Sequence, residues 1–581
     1  MNITTLQGSK YVWQLPQIDM QEALSIASRY NVSVPIASAL VQRGFTTKDA
    51  LDAYLFTSYE RDVAHPLRMK GMDVAIERIQ RALANKEKIL IFGDYDVDGI
   101  TATTLMVTGL LGLGAQVNFY LPNRMRDGYG LSTKIVERAA QNKYTLIITV
   151  DNGITAFDAV ERARFLNIDV IITDHHRSHD KVPQAYAIVD PNQHGCDYPC
   201  KALAGVGVAF KIICYLYELA GKPVPAKVYE LLLLGTVADV VPLVSENRYW
   251  VRECLHKVRD SESMALALLK ENAGVTKPAL TSSDIGYWLA PQINALGRLE
   301  DPRQAVTFLI GADRTEVREV GRLLWELNTA RKEIEKTVFS EIQVAIGEGN
   351  IDLSHENIIL AASKQWAPGV IGLVASRLMN TYGRPAILLH ITAGGMAKGS
   401  CRSIPEFNMF DALASQQHLL EHFGGHSMAA GLSIKLENIP AFKAALEERI
   451  ASMLTPYDLQ QKMMLDAQVT LPDVTKQLVH DLSLMEPFGN ANKEPVFYLR
   501  NVSLVQEPQL LKDVHVKCKL FSDGVIKPIV FFNRPELFSF FQQLGMRTCD
   551  VACTIHENYW SGKVSVELVG VDVALHDEKM K

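Results

Sequence analysis

From Lys88 onward the sequence alternates short runs of β-branched and aliphatic residues with stretches of helical periodicity: KILIFG before TATTLMVTGLLG, QVNFYL before STKIVERAAQ, TLIITV before TAFDAVERARFL, and then DVIIT. A strand without an intervening polar position has two apolar faces, so it must be covered on both sides, and the helices between the runs supply that cover. The pattern predicts a doubly wound α/β domain with a parallel sheet. Sheets of this kind bind ligands just beyond the carboxyl ends of their strands.

The chain has 581 residues, enough for roughly three to five domains. The segment from Asp313 to Gly347 is highly charged, free of proline and helically spaced, and predicts one long connecting helix. A second α/β unit follows, with ENIILAAS and RPAILLH as strands and GVIGLVASRLMNTYG as a helix closed by glycine. After about Leu454, short alternating runs such as PVFYL, HVKCKLF, IKPIVFF, CDVACTIH and KVSVELVGV suggest a small antiparallel barrel. The first 60 or so residues read as short helices without evident chemistry. The expected organisation is an N-terminal helical segment (1–67), a catalytic α/β domain (68–312), the connecting helix (313–350), a second α/β domain (351–455) and the barrel (456–575).

With 48% hydrophobic and 21% charged residues the chain has material for several cores and is far from disordered composition. Its net charge of -6 excludes a global positive field, so any nucleic-acid binding must be local. No apolar run reaches about 18 residues, and the start lacks a basic stretch followed by an apolar one, so a cytoplasmic protein without a membrane span is expected. The short cysteine spacings, Cys196 with Cys200 and Cys549 with Cys553, have no second pair nearby to complete a zinc site, and reduced, partly buried thiols are expected.

Four acidic or histidine clusters fall at strand ends. In GDYDVDG, Asp94, Asp96 and Asp98 crowd three carboxylates that repel one another unless cations neutralise them. In VDNG, Asp151 precedes a glycine that permits a tight turn. TDHH places Asp174, His175 and His176 together, offering hard oxygen and borderline nitrogen donors. In GTVADVVPL, Asp239 sits in an apolar helical run, where an unpaired carboxylate would cost several kcal/mol unless a cation joins it or its pKa rises. These donors exceed the needs of one ion and suggest two divalent metals, Mn²⁺ or Mg²⁺, about 4 Å apart, the arrangement of two-metal phosphoester hydrolysis.

GDYDVDG, VDNG, TDHH and ADVVPL, in that order, resemble the motifs of the DHH phosphoesterase superfamily. PNRMRDGYG, LAPQINALGRLED, APGVIGLVASRL, GSCRSIP and FGGHSMAAG resemble its bacterial single-strand-specific 5′ exonucleases, over nearly the whole chain from about Arg68 to Val573. The resemblance implies a DHH parallel-sheet domain, joined by the long helix to a DHHA1 α/β domain, with a C-terminal OB-fold β-barrel. It implies Asp96, Asp98, Asp151, His175 and Asp239 as metal ligands, with Asp151 bridging and Asp94 in the same catalytic cluster. His176 would orient or protonate the scissile phosphate, or support the site by a hydrogen bond from outside the ligand set. Ser400 and Arg402, with Arg298, are assigned to a terminal 5′ phosphate, and Arg124 to a nearby backbone phosphate. Gly424 and Gly425 in a glycine-rich turn would let backbone N–H groups approach a phosphate, and His426 adds a donor. One loop departs from the pattern, because a histidine is expected just before GVIG and this chain has Ala367 and Pro368. In the barrel, Lys512, Lys517, Lys519 and Phe532 are candidates for holding a strand by charge and stacking.

The function so implied is a metal-dependent exodeoxyribonuclease, a phosphodiester hydrolase that degrades single-stranded DNA 5′ to 3′ into 5′ mononucleotides in recombination and repair. The resemblance also implies a monomer that works with single-stranded-DNA-binding protein and a RecQ-type helicase. A phosphodiesterase for nanoRNA or cyclic dinucleotides would not need the barrel, and a catalytically dead scaffold should show broken motifs, which this chain does not.

Overall fold

Residues 4–122, 130–178, 180–545, 547–560 and 563–576 are described by a computed structural model of the chain. The first elements are a short antiparallel pair, β1 (Thr5–Gln7) and β2 (Val12–Gln14), and three helices, Met20–Tyr30, Val34–Gln42 and Lys48–Leu55.

The apolar runs then form a parallel sheet of β3 (Lys88–Phe92), β4 (Gln116–Tyr120), β5 (Leu146–Val150), β6 (Asp169–Thr173) and β7 (Ala187–Val189), in the order β4-β3-β5-β6-β7. Alternate residues of each strand enter opposite cores. Ile89, Ile91, Ile148 and Ile171 pack with the helices Val97–Gly112, Gly205–Leu219 and Ala226–Ala238, while Leu90, Phe92, Ile147 and Ile172 pack with Ile135, Val136 and Val160 on the other face. The chain runs from β3 to β4 on one side and returns to β5 on the other. The loops leaving β3 and β5 therefore diverge at a switch point, where a crevice opens at the carboxyl ends.

The connecting helix is one unbroken element, Arg314–Gly347, whose N-terminus is capped by Asp313 accepting from the amides of Thr315 and Glu316 at 2.7 and 3.3 Å. At about 1.5 Å per residue it is roughly 50 Å long. Val317, Val320 and Leu324 near one end belong to the core of the first domain, and Val338, Phe339 and Ile342 near the other end to the core of the second, so the helix is a strut shared by two lobes. The second lobe has strands β8 (Ile359–Ser363), β9 (Ala386–Ile391), β10 (Met396–Arg402), β11 (Leu420–Gly425) and β12 (Ala429–Lys435), ordered β11-β12-β10-β9-β8. The expected glycine-rich turn is different in structure: Gly424 and Gly425 end β11, and Gly425 has φ 139°, a backbone conformation that favours glycine.

After β13 (Lys462–Met464) comes the barrel, formed by β14 (Ala467–Val469), β15 (Phe497–Leu504), β16 (Gln509–Leu511), β17 (His515–Ser522), β18 (Val525–Phe531), β19 (Cys549–Trp560) and β20 (Lys563–Leu575). The order is β14-β15-β19-β20-β18-β17-β16, and β15 also pairs with β17 to close it. Because β14–β15 and β18–β20 are parallel pairs, the barrel is mixed and not purely antiparallel.

The N-terminal segment, with its helices and the β1–β2 pair, docks on the barrel region. β2 pairs in parallel with β13, and Ile26, Ile36, Leu40 and Leu55 lie in the same core as Leu478, Phe541 and Val551 of the barrel region. Buried polar contacts fix the docking: the Trp13 indole donates to Asp572 Oδ2 at 2.9 Å, and Arg43 Nε to Asp466 Oδ1 at 2.6 Å. All eight cysteines are free thiols, seven of them buried. No helix among the described residues is long and apolar enough to cross a membrane.

Candidate metal centre and phosphate pocket

Asp94 and Asp96 occupy the loop after β3, and Asp96 caps the helix Val97–Gly112 by accepting from the Gly99 amide at 3.0 Å. Asp98, in the first turn, is buried and accepts from the amides of Gly205 at 2.6 Å and Val206 at 2.8 Å, so it caps the helix Gly205–Leu219 from outside. Asp151 follows β5 with φ 61°, a left-handed conformation that a non-glycine residue keeps only where its surroundings enforce it. Asp239 caps the end of Ala226–Ala238, and Val240 after it is also left-handed, at φ 58°.

These side chains converge. His175 Nε2 lies 3.1 Å from Asp151 Oδ1 and 3.8 Å from both Asp98 Oδ2 and Asp239 Oδ2. Three sets, Asp94 with Asp96 and Asp151, Asp98 with His175 and Asp239, and Asp151 with His175 and His176, each bring one donor atom per residue within 4.8 Å of one another. Asp151 is in two of the sets and His175 in two.

Burial, with the charges of neighbouring acids, disfavours ionisation here. Burial and then Asp96 push Asp98 up to about 7; burial, Asp98 and Asp96 push Asp239 up to about 9; burial and Asp98 hold Asp151 well above the carboxylate range. Burial and the charge of His176 press His175 down to about 4, so near neutral pH it is uncharged and its short distances to carboxylates are not ion pairs. Asp151 Oδ1 is buried without a hydrogen bond, because His175 Nε2 approaches it without bonding geometry. An orphaned buried oxygen, carboxylates that resist ionisation and a neutral imidazole are the donor set of a hard divalent cation; the residues fit such ions.

His176 differs from His175. Burial opposes its charge, but the hydrogen bond from its Nδ1 to Asp174 Oδ1 at 2.7 Å and the charge of Asp174 outweigh that and raise it to about 9. Asp174 also accepts from the amides of Ile154, His175 and His176, so its oxygens serve the loop and the imidazole and are not spare metal donors as the triplet alone suggested. The sequence pattern left out two further supports. Asn192 Nδ2 donates to the His175 carbonyl at 2.6 Å, and Gly205 lies so close to Asp151 that a Cβ there would stand 2.5 Å from the Asp151 Cβ. The GVGV run at a helix start was the available signal for Gly205; nothing in the sequence marked Asn192.

A second group lies beside the first. Gly297 packs on the Tyr95 carbonyl, between Asp94 and Asp96, so closely that a Cβ would lie 2.2 Å from it, and the next residue, Arg298, donates from Nη1 to Gly369 O of the second lobe at 2.8 Å. Gly369 leads into the uncapped N-terminus of the helix Ile371–Tyr382. Ser400 and Arg402 project from β10 to the same place: a Cβ on Gly372 would meet Ser400 Oγ at 2.7 Å and Arg402 Nη2 at 3.2 Å. Arg402 donates to Ser376 Oγ, Ser400 Oγ and Cys401 O, all neutral, and burial holds its pKa below the ordinary range. A half-buried guanidinium with neutral partners at a helix N-terminus is arranged for an anion. Ala367 and Pro368 lie in the loop just before Gly369. Gly424 and Gly425 are exposed at the edge of the second sheet, as is His426, whose amide donates to Ala429 O. Arg124 lies outside the described residues. In the barrel, Lys517 and Lys519 share the outer face of β17, and Phe532, 49% exposed, stands edge-on to His515 at 5.2 Å.

Models of three protein families match the chain: the DHH family N-terminal domain over 88–236, the DHHA1 domain over 355–452 and the RecJ OB domain over 465–572. The chain is 36% identical over 532 residues to the single-stranded-DNA-specific exonuclease RecJ of Bacillus subtilis, covering 91% of this chain and 67% of that protein. It is 33% identical to the RecJ of Salmonella typhimurium, covering 87% of this chain and 90% of that one. Thermus thermophilus RecJ in complex with Mn²⁺ superposes with a TM-score of 0.80 at 28% identity, over 97% of this chain and 80% of that one, and its Mg²⁺ complex with 0.74 at 26%, over 97% and 79%.

Proposed function

Because this chain belongs to the RecJ family of the DHH superfamily, we propose that it is a divalent-metal-dependent exonuclease that degrades single-stranded DNA from the 5′ end and releases 5′ mononucleotides. The observation that carries the direction is the coupling of the two groups: the helix Ala290–Leu299 rests on the Asp94–Asp96 loop at Gly297 and presents Arg298 to the anion pocket one residue later. A terminal phosphate held by Arg298, Ser400, Arg402 and the helix N-terminus at Ile371 would set the first phosphodiester against the carboxylate cluster.

Asp96, Asp98, Asp151, His175 and Asp239 would hold two cations, with Asp151 shared. Bound there, divalent cations supply an ionised water nucleophile near neutral pH and charge for the phosphoryl oxygens. The protein's own groups do the rest. Asp98, anchored by two helix N-terminal amides, and Asp151, wedged against Gly205, keep the donor atoms in place. His176, charged near neutral pH and aimed by Asp174, can donate to a non-bridging oxygen of the scissile phosphate. Action in recombination and repair, a cytoplasmic location, a monomeric state and cooperation with single-stranded-DNA-binding protein and a RecQ-type helicase belong to the same reading.

Digestion of single strands and duplexes labelled at either end, with Mn²⁺ or EDTA, tests it. The expected result is metal-dependent release of the 5′ label as a mononucleotide from single strands first. Release of the 3′ label first, or equal attack on duplex, would overturn it.

A further inference from the structure

The helix Ala290–Leu299, which carries Arg298, is preceded directly by a wide π-helical turn, Ile285–Leu289. Ile285 and Leu289 are fully buried, and the wider turn leaves two consecutive aromatic residues outside, Tyr287 at 77% and Trp288 at 50% exposure. Such turns concentrate at functional sites, and aromatic rings of this size dominate interface energetics, so two of them side by side in solvent call for an occupant.

The turn lies between the two places that a strand must visit. On one side Gly286 abuts Val237, two residues before Asp239, at 3.6 Å from an added Cβ. On the other, Ser282 Oγ donates to the Phe488 carbonyl at 2.6 Å in the connection between β14 and β15 of the barrel. That segment also reaches the metal side, because Asn490 Nδ2 donates to the Val240 carbonyl at 2.7 Å, next to Asp239, and Val240 is itself 64% exposed. From the connecting helix, Lys332 Nζ stands 5.6 Å from the centre of the Trp288 ring, a cation beside the aromatic pair that suits a passing backbone phosphate.

We propose that Tyr287 and Trp288 form a base-stacking step that carries the single strand between the barrel and the metal centre. The step rests on the reading that single-stranded DNA is the substrate. It is indifferent to sequence, because every base has a π face, and it engages only strands long enough to extend past the cleft.

The test uses the full chain. In EDTA, where nothing is cut, binding of a twenty-nucleotide oligo(dT) should weaken about five- to hundred-fold in Tyr287→Ala and in Trp288→Ala, while Tyr287→Phe keeps wild-type affinity. Trp288→Phe should remove much of the intrinsic fluorescence that this oligonucleotide quenches. In Mn²⁺, cleavage of a four-nucleotide strand should stay at the wild-type kcat/KM in all variants. Alanine variants that bind the long strand as the wild type does, as expected if the patch docks a protein instead, would overturn the step, and so would equal losses on short and long strands. A wild-type chain that neither binds nor cuts single strands would sink the proposed function itself, and the step with it.

Discussion

Gly205 offers a sharp probe of the metal centre because it is not a ligand and carries no charge. A Cβ at this position would stand 2.5 Å from Asp151 Cβ and 2.7 Å from its Oδ1, whereas ordinary contact begins near 3.4 Å, so the two groups must separate by about 0.9 Å. The Gly205 amide is held at 2.6 Å by Asp98 Oδ2, and Asp151 is in a left-handed conformation with its amide bonded to Thr173 O at 3.0 Å. The Asp151 Cβ moves only with its backbone, so one of these segments must shift against its bonds and carry the carboxylate with it. A displacement of roughly 1 Å at a reacting centre costs on the order of a hundredfold in rate, so Gly205→Ala should lower single-turnover release of a 5′ nucleotide by about that factor and raise the Mn²⁺ needed for half-maximal rate. Gly207, in the same helix, is the control: its added Cβ meets Leu203 at 3.4 Å, and alanine in a helix is better than glycine by about 1 kcal/mol. Gly207→Ala should therefore keep wild-type activity with an equal or higher Tm. Wild-type kinetics in Gly205→Ala, or equal losses in both variants, would mean that the close contact at Gly205 does not position the Asp151 carboxylate.

Asp98 and Asp239, raised to about 7 and about 9, keep protons in the metal-free fold that the unfolded chain releases near pH 4, so metal-free stability should fall as pH rises from about 4 to about 9. Melting curves in EDTA and in Mn²⁺ should diverge over that range, and parallel curves would contradict the shifts. Asp174→Asn should drop the His176 titration from about 9 toward its ordinary value near 6.5, followed by NMR, and weaken cleavage above about pH 7; an unmoved titration would leave Asp174 without its orienting role. Arg402→Ala should cost about one to two decades on 5′-phosphorylated strands and much less on 5′-hydroxyl strands, measured as kcat/KM, and equal losses on both would remove the case for a terminal-phosphate pocket.

What the sequence made legible follows from local rules. The runs at Lys88–Phe92 and Leu146–Val150 are apolar on both faces, and only a covered parallel sheet satisfies that; the acids that follow them then fall at the switch point by topology alone. The connecting helix was equally plain, since thirty-four residues without proline keep one period. What stayed hidden depends on partners distant in sequence. β1 and β2 have three residues each, too few to show alternation, and their third strand is β13 near the other end of the chain. The two glycines at 424 and 425 carry a turn signature but pair in register with Gly431 and Ala430. The two histidines part company only in space, where His176 Nδ1 bonds Asp174 and His175 Nε2 faces Asp151, and the π turn that exposes Tyr287 and Trp288 is a shift in helical register that periodicity averages away.

In the proposed function one carboxylate, Asp151, is shared by two cations. Anomalous diffraction at the manganese edge from crystals soaked in Mn²⁺ tests it most directly. Two peaks are expected that both touch the Asp151 carboxylate, one also reached by Asp96 and the other by Asp98, His175 and Asp239, with the loss of both in Asp151→Ala. A single peak, or two peaks of which either leaves Asp151 untouched, would contradict it.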